Sequence, residues 1–487
     1  MVHITVLGGG IGGLSAALFL GRRGHQVTVL EREIRRARAD LDRDFLDWQR
    51  PGVPQAVQPH VLNAPVRTVL LAEAPDVYDA MLRLGAREQH EFDWFDEHPP
   101  YRPGDEQLVR VKARRIVLEA ALREAAEQQP EVTIHQGIAV TGLLTDGGKR
   151  VTGVRSSAGV FGAELVVDAG GRRSPVPGWI AELAGRAPLV ESHRIGIGYF
   201  CRWYRLRPQA PEDPGRVPGG AAAAFATGGV FPSDNRVFAV ALTLSTADPT
   251  RGALRDPAVF EAVARTFAGC AHWLALPHDP IGPVRAMAGL ENRWTSLVDA
   301  DGPLATGLIG IGDTMVHTNP THGQGLPLTL WAAQWLAHHV DQPGGTDLET
   351  DYHRWAVDTL KPWFDRQVVA DRSLRDQLAG REPGPRPGAD PIAAALPWCA
   401  LEDPLVMRAR AQARHLLLTP AQAYGAPEVQ ERVARWIEAN PGFTPPQDSP
   451  SRELWERLTT GNYRDTVLTD PADWPDFADS AQNGCPS

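Results

Sequence analysis

A glycine-rich turn between two strands constrains this chain more than any other feature of its sequence. Residues 3–7 are largely apolar and predict a strand, and glycines follow at the first, third and sixth positions of residues 8–13. Residues 14–23 then predict a helix, and residues 26–30 predict a second strand with Glu31 at its end. This order of elements is typical of a unit that binds a dinucleotide. The unit fits FAD and NAD(P) equally well, so it does not choose between them.

Each glycine of the turn has a separate physical task. Gly8 lets the chain turn away from the strand, Gly10 lets the backbone approach a pyrophosphate, and Gly13 lets the helix lie close to the sheet. The helix start offers free N–H groups to the phosphates, and Glu31 can accept hydrogen bonds from a ribose. The residues predicted to bind the cofactor in this unit are Gly8, Gly10, Ile11, Gly12, Gly13, Glu31 and Arg32.

Length and composition are typical of a multidomain globular protein. A chain of 487 residues exceeds one ordinary core, so two or three domains are expected. The net charge of −10 argues against a general nucleic-acid binder, and no run of about 20 apolar residues predicts a membrane span. The four cysteines are scattered without a CxxC pair, so we predict no metal site and a reduced, cytoplasmic protein.

The middle of the chain differs from its βαβ start. Residues 161–167 predict one strand of a β-meander, and residues 195–206 and 237–245 predict strands rich in aromatic and β-branched residues. These segments indicate antiparallel sheet. From Leu326 onward the pattern is helical, with a break where glycine and proline dominate residues 380–391.

Two later strands also end in an acid beside glycines. Residues 163–168 lead to Asp168, and the following segment 170–174 contains two glycines, two arginines and a serine. It supplies a carboxylate for a ribose and cationic groups for a phosphate. The second strand ends at Gly312-Asp313, where the carboxylate can bind polyol hydroxyls.

A short loop with Pro320 connects Asp313 to the next helix. Residues 323–326 stand at the helix start, and their free N–H groups can face the negative charge that develops at the N1–C2=O edge of a reduced flavin. This second anchor lies about 300 residues after the first. It favours FAD, because NAD would need no anchor there.

Two arginines complete the candidate site. Arg50 opens the helix-breaking segment 50–55, and Arg115 stands on the first turn of the helix predicted for residues 113–128. An arginine in that position can reach a phosphate or a ribityl chain. A solvated helix arginine explains Arg115 nearly as well.

These segments, in this order and spacing, resemble the single-component FAD-dependent monooxygenases of the aromatic hydroxylase type over roughly residues 1–345. Arg50-x-Gly52-Val53 resembles the family's loop beside the isoalloxazine, and Arg115-x-x-Leu118 resembles its FAD-contacting helix arginine. More narrowly, residues 52–55 with 60–62, and the helical tail, are similar to bacterial polyether-pathway epoxidases and squalene-epoxidase-like enzymes.

The resemblance implies that NAD(P)H reduces FAD and that O2 adds at flavin C4a to form a hydroperoxide. One oxygen atom then passes to a hydrophobic natural-product intermediate, by epoxidation or hydroxylation. No second GxGxxG lies between a strand and a helix, so either NAD(P)H binds transiently or a separate flavin reductase delivers reduced flavin. No oligomeric state is predicted. The further residues assigned to FAD are Arg50, Gly52, Val53, Arg115, Asp168, Gly171, Gly312, Asp313, Pro320, Gly323, Gln324, Gly325 and Leu326.

The flavin carries this chemistry, so no side chain is assigned a catalytic role. Where related epoxidases often have His-x-His, only His60 is present, and the histidine after Gly312-Asp313 is displaced by one residue to His317. Aromatic residues in the strand 195–206 suit an apolar substrate, although ordinary sheet core explains them too. The candidates for lining the substrate pocket are His60, His317, His322, Tyr199 and Trp203.

Three other functions are alternatives. The form Asp168-x-x-Gly171-Arg172-x-Ser174 also occurs in reductases of isoprenoid lipids and in halogenases. A halogenase uses an early active-site lysine and a Trp-x-Trp-x-Ile-Pro motif, but no lysine precedes Lys112 and the motif is absent. A prenyl-binding chaperone shares the fold without turnover, and the intact segment 312–325 argues against it.

The predicted fold class is α/β, in three parts. A discontinuous Rossmann-like FAD-binding domain occupies residues 1–186 and 286–345, and an antiparallel β-sheet substrate domain occupies residues 187–285. A C-terminal helical region at residues 346–487 is expected to cap the pocket.

Overall fold

The computed structural model describes residues 1–35, 40–48, 50–341, 347–381, 391–443 and 448–461. The predicted start of the helical tail at residue 346 and most of the break at residues 380–391 lie outside these ranges. The strands are β1 His3–Leu7, β2 Gln26–Glu31, β3 Arg87–His90, β4 Val109–Lys112, β5 Val132–Gln136, β6 Val140–Thr145, β7 Val151–Ser156, β8 Gly159–Gly162, β9 Leu165–Asp168, β10 Leu189–Arg194, β11 Ile197–Leu206, β12 Gly220–Ala222, β13 Ala226–Pro232, β14 Val237–Ser245, β15 His278–Met287, β16 Glu291–Ser296, β17 Val298–Asp299, β18 Gly302–Pro303, β19 Leu308–Gly310 and β20 Val316–His317.

The helices alternate with these strands at first and dominate the end of the chain. They are α1 Ile11–Gly21, α2 Leu41–Asp47, α3 Ala64–Glu73, α4 Pro75–Arg83, α5 Arg115–Gln128, α6 Val176–Ala184, α7 Pro257–Ala264, α8 Ala268–Ala275, α9 Gly325–His339, α10 Leu348–Thr359, α11 Lys361–Leu378, α12 Pro391–Glu402, α13 Pro404–Arg414, α14 Pro420–Tyr424, α15 Pro427–Ala439 and α16 Arg452–Thr459. The 3-10 helices are Pro54–Val57, Glu91–Trp94, Asp105–Gln107, Pro249–Arg255, Gly312–Thr314 and Pro320–His322.

A five-stranded parallel sheet of order β19-β9-β1-β2-β5 forms the first core. Leu7 at the end of β1 pairs with both Leu30 and Asp168, and Asp168 pairs with Gly310. The carboxyl ends of β1, β2, β9 and β19 therefore lie along one edge. In an open α/β sheet, this is the edge at which ligands bind.

Helix α1 is buried on all sides, because it lies between the sheet and the helices α5 and α9. Only small and apolar residues occupy it, as a helix without a solvent face requires. The predicted α/β class, with its parallel sheet, antiparallel sheets and C-terminal helices, is confirmed.

The predicted strand 161–167 is wrong, because two strands of two different sheets occupy this segment. Strand β8 pairs with β7 in an antiparallel three-stranded sheet, whereas β9 pairs with β1 and β19 in the parallel sheet. The change of partner occurs at Ala163 and Glu164, whose N–H groups donate to Thr152 (2.9 Å) and His3 (2.8 Å). Apolar residues lie on both sides of this point, so periodicity alone does not reveal the break.

The middle of the chain forms an antiparallel five-stranded sheet of order β12-β13-β14-β11-β15. Alternate residues of β11 face opposite ways, since a strand has a period of two. Phe200 and Tyr204 pack into a core with α7 and α8, and Tyr199, Cys201 and Trp203 contact loops of the nucleotide-binding part.

Two features cross the predicted domain boundaries, and the domain division itself stays a prediction. Strand β15 continues through the boundary after residue 285, and β16 pairs with β10 on one side and with β20 on the other. The C-terminal helices also separate: α10 and α11 pack on the parallel-sheet core, α12–α15 form their own cluster, and Trp455 of α16 enters the core of the middle sheet.

Two structural features are absent from the described ranges. None of the helices there is long and apolar enough to cross a bilayer. No group of three or more His, Cys, Asp or Glu side chains there is arranged to hold a metal ion.

Candidate functional site

The turn after β1 has the geometry that its glycines suggest. Gly8 has a φ of +97°, and a Cβ on Gly13 would lie 1.9 Å from the Gly8 carbonyl oxygen. No side chain fits at Gly13 without a shift of the backbone. At Gly10, by contrast, a Cβ would meet no atom within 4 Å. The turn is therefore packed tightly on its sheet side and open at Gly10, where a pyrophosphate is predicted.

Helix α1 begins at Ile11 without a side-chain cap. Its first N–H groups, including that of Gly12, are free to meet an anion. The Glu31 carboxylate lies at the same turn, because its Oε2 accepts from the Gly9 N–H at 2.5 Å and its Oε1 accepts from the Glu33 N–H at 2.7 Å. Glu31 thus stabilises the turn, and its ribose contact stays a prediction.

Asp168 points inward and holds its own loop. It is fully buried, and it accepts from the Gly170 N–H at 3.0 Å and from the Ser174 hydroxyl at 2.6 Å. Burial without a cationic partner raises the pKa of Asp168 to about 6. Gly171 then donates its N–H to Thr314 Oγ1 at 3.0 Å, which joins this loop to the segment after β19.

Asp313 stands at the end of the outermost strand of the same sheet. Its carboxylate lies 3.3 Å from His317 Nδ1, and it accepts from Gln55 Nε2 at 3.4 Å. Burial opposes ionisation of Asp313, but His317 and then Arg115 outweigh it, so the pKa of Asp313 lies below its ordinary value. Gly312 before it has a φ of +61°. The site therefore holds an ionised carboxylate that can accept hydrogen bonds.

Arg50 and Arg115 share one carboxylate. Glu119 accepts from Arg50 at 2.5 Å and from Arg115 at 3.0 Å. Burial would raise the pKa of Glu119, but the two arginines lower it to about 2. This charge cluster orients both arginines toward the region between Glu31 and Asp313, and direct contact with FAD stays a prediction for each.

The segment around Gly52 lies against the end of β2. The Gly52 N–H donates to Glu33 Oε1 at 3.0 Å, and a Cβ on Gly52 would lie 2.6 Å from an Arg32 guanidinium nitrogen. Val53 precedes the 3-10 helix Pro54–Val57 and is half-buried. The structure thus brings Arg32 and Gly52 together, and their predicted contacts with FAD remain predictions.

The loop before α9 comes close to a second segment of the chain. Pro320 opens a 3-10 helix that ends at Gly323 with a φ of +63°, and a Cβ on Gly323 would lie 3.2 Å from Asn63 Nδ2. Gln324 is fully buried, and α9 then begins at Gly325 without a side-chain cap. The N–H groups of Gly325 and Leu326 therefore stand at an open helix end, next to Asp313.

Of the three histidine candidates, His60 and His317 lie near Asp313, and His322 lies apart from them. His317 contacts Asp313, whereas His322 lies on the loop beside α11. Burial lowers the pKa of His60 to about 4, so its ring is neutral near neutral pH. Burial also lowers the pKa of His322, and the nearby Arg366 guanidinium acts in the same direction.

The two aromatic candidates hold loops. The Tyr199 hydroxyl donates to Asn319 Oδ1 at 2.7 Å, and the Trp203 indole N–H donates to the Val57 carbonyl oxygen at 2.9 Å. Trp203 is buried against Phe45 at a ring distance of 5.1 Å. Trp203 therefore supports the segment 53–58 from behind, and Tyr199 supports the loop before α9.

A buried polar network that sequence reasoning missed holds this loop in place. Asp371 on α11 accepts from Asn319 Nδ2 (2.7 Å), Asn292 Nδ2 (2.7 Å) and Gln367 Nε2 (2.9 Å). Asn292 Oδ1 accepts from the Asn319 N–H at 2.7 Å, and Gln324 donates to Gln367 at 2.8 Å. All five side chains are buried. One signal was present in the sequence: Gln367 and Asp371 share a helix face with the apolar Phe364 and Val368.

Several buried polar atoms at this site make no hydrogen bond. They are His317 Nε2, Thr318 Oγ1, Gln324 Oε1 and Asn63 Oδ1. Buried polar groups are normally paired, and each such group left unpaired costs about 1–3 kcal/mol. Together with the open space at Gly10, these atoms fit a polar ligand that extends from the glycine turn to the start of α9.

Comparison with known proteins gives one match over a short segment and one over most of the chain. Residues 6–39 match the family described as NAD(P)-binding Rossmann-like domain. Over 407 residues the chain is 27% identical to Protein Rv3254 of Mycobacterium tuberculosis, an alignment that covers 79% of this chain and 82% of that protein.

Two solved structures have similar folds. PqsL from Pseudomonas aeruginosa, described as a probable FAD-dependent monooxygenase, aligns with a TM-score of 0.54 and 18% identity over 78% of this chain and 98% of PqsL. OxyS anhydrotetracycline hydroxylase from Streptomyces rimosus aligns with a TM-score of 0.53 and 18% identity over 85% of this chain and 76% of OxyS. The chain therefore shares its fold with these two proteins.

Proposed function

We propose that the protein is an FAD-dependent monooxygenase that uses NAD(P)H and O2 to transfer one oxygen atom to an apolar organic substrate, by epoxidation or hydroxylation. One observation carries the proposal: the glycine turn after β1 and the Gly312-Asp313 segment after β19 lie along the same edge of one parallel sheet. The Asp168 loop lies between them. A cofactor held at both anchors is long and extended, as FAD is.

The residues present fit FAD. The adenosine and pyrophosphate end would lie at Gly10, Ile11 and Glu31, and the flavin end would lie at Asp313 and the start of α9. When bound, FAD supplies electron transfer from NAD(P)H and the activation of O2. The names of PqsL and OxyS support oxygenation as the reaction.

The protein's own groups orient and shield the cofactor. The Asp313 carboxylate, ionised through His317, would accept hydrogen bonds from the polyol chain of the cofactor. The free N–H groups at Gly325 and Leu326 would stabilise negative charge on the flavin ring. Trp203 holds the segment 53–58 in place, and Tyr199 holds the loop before α9. Transfer of an electrophilic oxygen to an alkene needs no nucleophilic side chain, and the site accordingly requires none.

The source of electrons has two candidates. Either NAD(P)H binds transiently on the parallel-sheet part, or a separate flavin reductase delivers reduced flavin. Mixing the FAD-loaded protein with NADH or NADPH under anaerobic conditions distinguishes them, because direct bleaching of the flavin requires a nicotinamide site on this chain.

The test of the function uses isotopically labelled O2. FAD-loaded protein, reduced by NAD(P)H or by photoreduction, is mixed with labelled O2 and a panel of alkenes and phenols. Mass spectrometry should find one labelled oxygen atom per product molecule. Failure of both oxidised and reduced FAD to bind the protein in an equilibrium titration would refute the proposal. A saturated product without labelled oxygen would instead support the reductase alternative.

A further inference from the structure

A second feature lies where α11 and α13 approach the loop before α9. Arg366 on α11 has a buried guanidinium nitrogen, Nη1, that makes no hydrogen bond. In the part of the chain that the structure describes, no acid lies within ion-pair distance of Arg366. Its Cζ lies 5.6 Å from the ring centre of Trp363, and burial lowers the pKa of its guanidinium.

Arg410 on α13 is in a similar position. No ion pair holds it among the described residues, and burial lowers its pKa to about 10, with the charge of Arg414 acting in the same direction. The one carboxylate that faces it, Glu91, is already engaged. Glu91 lies 3.3 Å from Arg414, 3.1 Å from His415 and 3.6 Å from Arg110.

Two further side chains connect these arginines to the candidate active site. Tyr424 on α14 faces Arg410, Arg366 and Arg414, whose charges oppose the rise that burial produces in its pKa. His322 on the loop before α9 faces Arg366 and Asp371. No ion pair joins Asp371 to Arg366, and the Asp371 oxygen atoms accept from side-chain amides instead.

The charges in this region do not balance. Among the described residues, Glu91 lies 3.6 Å from Arg110 and 3.3 Å from Arg414 and also faces Arg410, Asp93 acts on Arg110 as well, and Arg366 has no carboxylate partner. The surplus is unexpected in a protein with a net charge of −10. Partly buried charges are unfavourable unless an opposite charge pairs with them. An anionic ligand would balance the surplus that these described residues leave.

We propose that Arg366 and Arg410, with Tyr424 and His322, bind the carboxylate of an organic substrate whose apolar part extends to the loop before α9. The proposal rests on the proposed function, and it names the substrate class. A guanidinium binds a planar carboxylate through two parallel hydrogen bonds. The helix residue next to Arg366, Gln367, contacts Gln324 at 2.8 Å, so a substrate anchored there would lie beside the predicted flavin ring.

The test measures binding of benzoate and 2-naphthoate by calorimetry, against their neutral amides benzamide and 2-naphthamide. Both the FAD-loaded and the cofactor-free protein are titrated. We expect each carboxylate to bind at least about tenfold more tightly than its amide. In Arg366→Gln and in Arg410→Gln, the ratio of carboxylate affinity to amide affinity should fall by about tenfold. In Arg366→Lys this ratio should fall less than in Arg366→Gln.

Arg372→Gln is the matched control, because Arg372 is exposed on the same helix. It should bind both carboxylates as the unsubstituted protein does. A thermal melt of each variant shows that the fold is intact. Equal affinity for acid and amide would overturn the proposal, and so would an unchanged preference in both glutamine variants.

A third ligand separates the two sources of an anion. The probe 2′,5′-ADP carries the phosphates of NADPH without a substrate carboxylate. If it binds at these arginines and displaces benzoate, the cluster serves the nicotinamide cofactor and the proposal is wrong. If the protein retains no FAD and still prefers benzoate over benzamide, the carboxylate site stands and the proposed function fails.

Discussion

The Asp371 network offers the sharpest test of how the loop before α9 is held. In Asp371→Asn, one side-chain oxygen remains and the other becomes an NH2 group. The remaining oxygen belongs at the Oδ1 position, where Asn319 and Gln367 both donate. The new NH2 group would then face the Nδ2 of Asn292, and two donors would meet at a distance of 2.7 Å.

Rotation of the Asn292 amide does not relieve this conflict. Its Oδ1 accepts from the Asn319 N–H at 2.7 Å, and rotation would leave that N–H without an acceptor. One buried hydrogen bond is lost in either case, to the residue 371 side chain without rotation and to the Asn292 amide with it. Such a loss costs about 2 kcal/mol, which corresponds to about a thirtyfold change in the equilibrium of local opening.

A reciprocal exchange should restore the network. Asn292→Asp alone brings two carboxylates together and should destabilise the loop more than Asp371→Asn does. In the double variant the new amide donates to the new carboxylate, and the second carboxylate oxygen still accepts from the Asn319 N–H. We expect the double variant to recover most of the loss, so the two substitutions are far from additive.

Amide hydrogen exchange of residues 319–324 is the assay, because it reports local opening where a global melt does not. Exchange at Asn319 should be about thirtyfold faster in Asp371→Asn and close to the original rate in the double variant. Asp365→Asn is the control: it removes an exposed ion pair with Lys361 on the same helix and should change little. Additive effects of the two network substitutions would refute this account.

Three further outcomes follow from the site. Gly10→Ala should fold normally but lose FAD affinity at least about tenfold, because its Cβ points into open space, whereas Gly13→Ala should misfold, because its Cβ would lie 1.9 Å from a backbone oxygen. Asp313→Ala should lose most of its FAD on desalting, as measured by flavin absorbance. Glu119 has a pKa of about 2 against an ordinary value of 4.5, so its contribution of about 3 kcal/mol is present above pH 4.5 and is lost as the pH falls toward 2.

Each of these three predictions has a result that would contradict it. Equal FAD affinity in Gly10→Ala and the unsubstituted protein would show that the pyrophosphate does not bind at this turn. Full flavin retention in Asp313→Ala would show that Asp313 does not contribute to FAD binding. For Glu119, urea unfolding is compared between the unsubstituted protein and Glu119→Gln across this pH range. The gap in stability should narrow in acid, and a constant gap would contradict the assigned pKa.

Local sequence was sufficient wherever one short segment determines its own shape. The turn at Gly8, the helix α1 and the strand β2 follow from glycine and apolar patterning, and the structure has them close to the expected positions. The acid at the end of each strand was also visible, because a parallel sheet brings its strand ends to one edge.

Contacts between polar residues that lie far apart in the sequence could not be predicted from local patterns. Glu119 looked like an ordinary helix residue, yet it joins Arg50 to Arg115. Asp371 lies in a segment expected only to cap the pocket, yet it binds the loop before α9 directly. In both cases the polar residue meets its partner only when elements distant in sequence pack together. The hydrophobic periodicity of one segment does not identify such a partner.

The order of the parallel sheet has a consequence for how the protein is made. The innermost strand β1 has two neighbours, β2, which follows at once, and β9, while the edge strand β19 emerges only after about 300 further residues. At roughly 5–20 residues per second, a ribosome needs on the order of tens of seconds to cover that interval. During that time the glycine turn has been synthesised but the Asp313 segment has not. Asp371, which binds the loop before α9, is synthesised later still. Stable insertion of the cofactor is therefore an event of the finished chain, and a nascent chain stalled before residue 308 should carry no bound flavin.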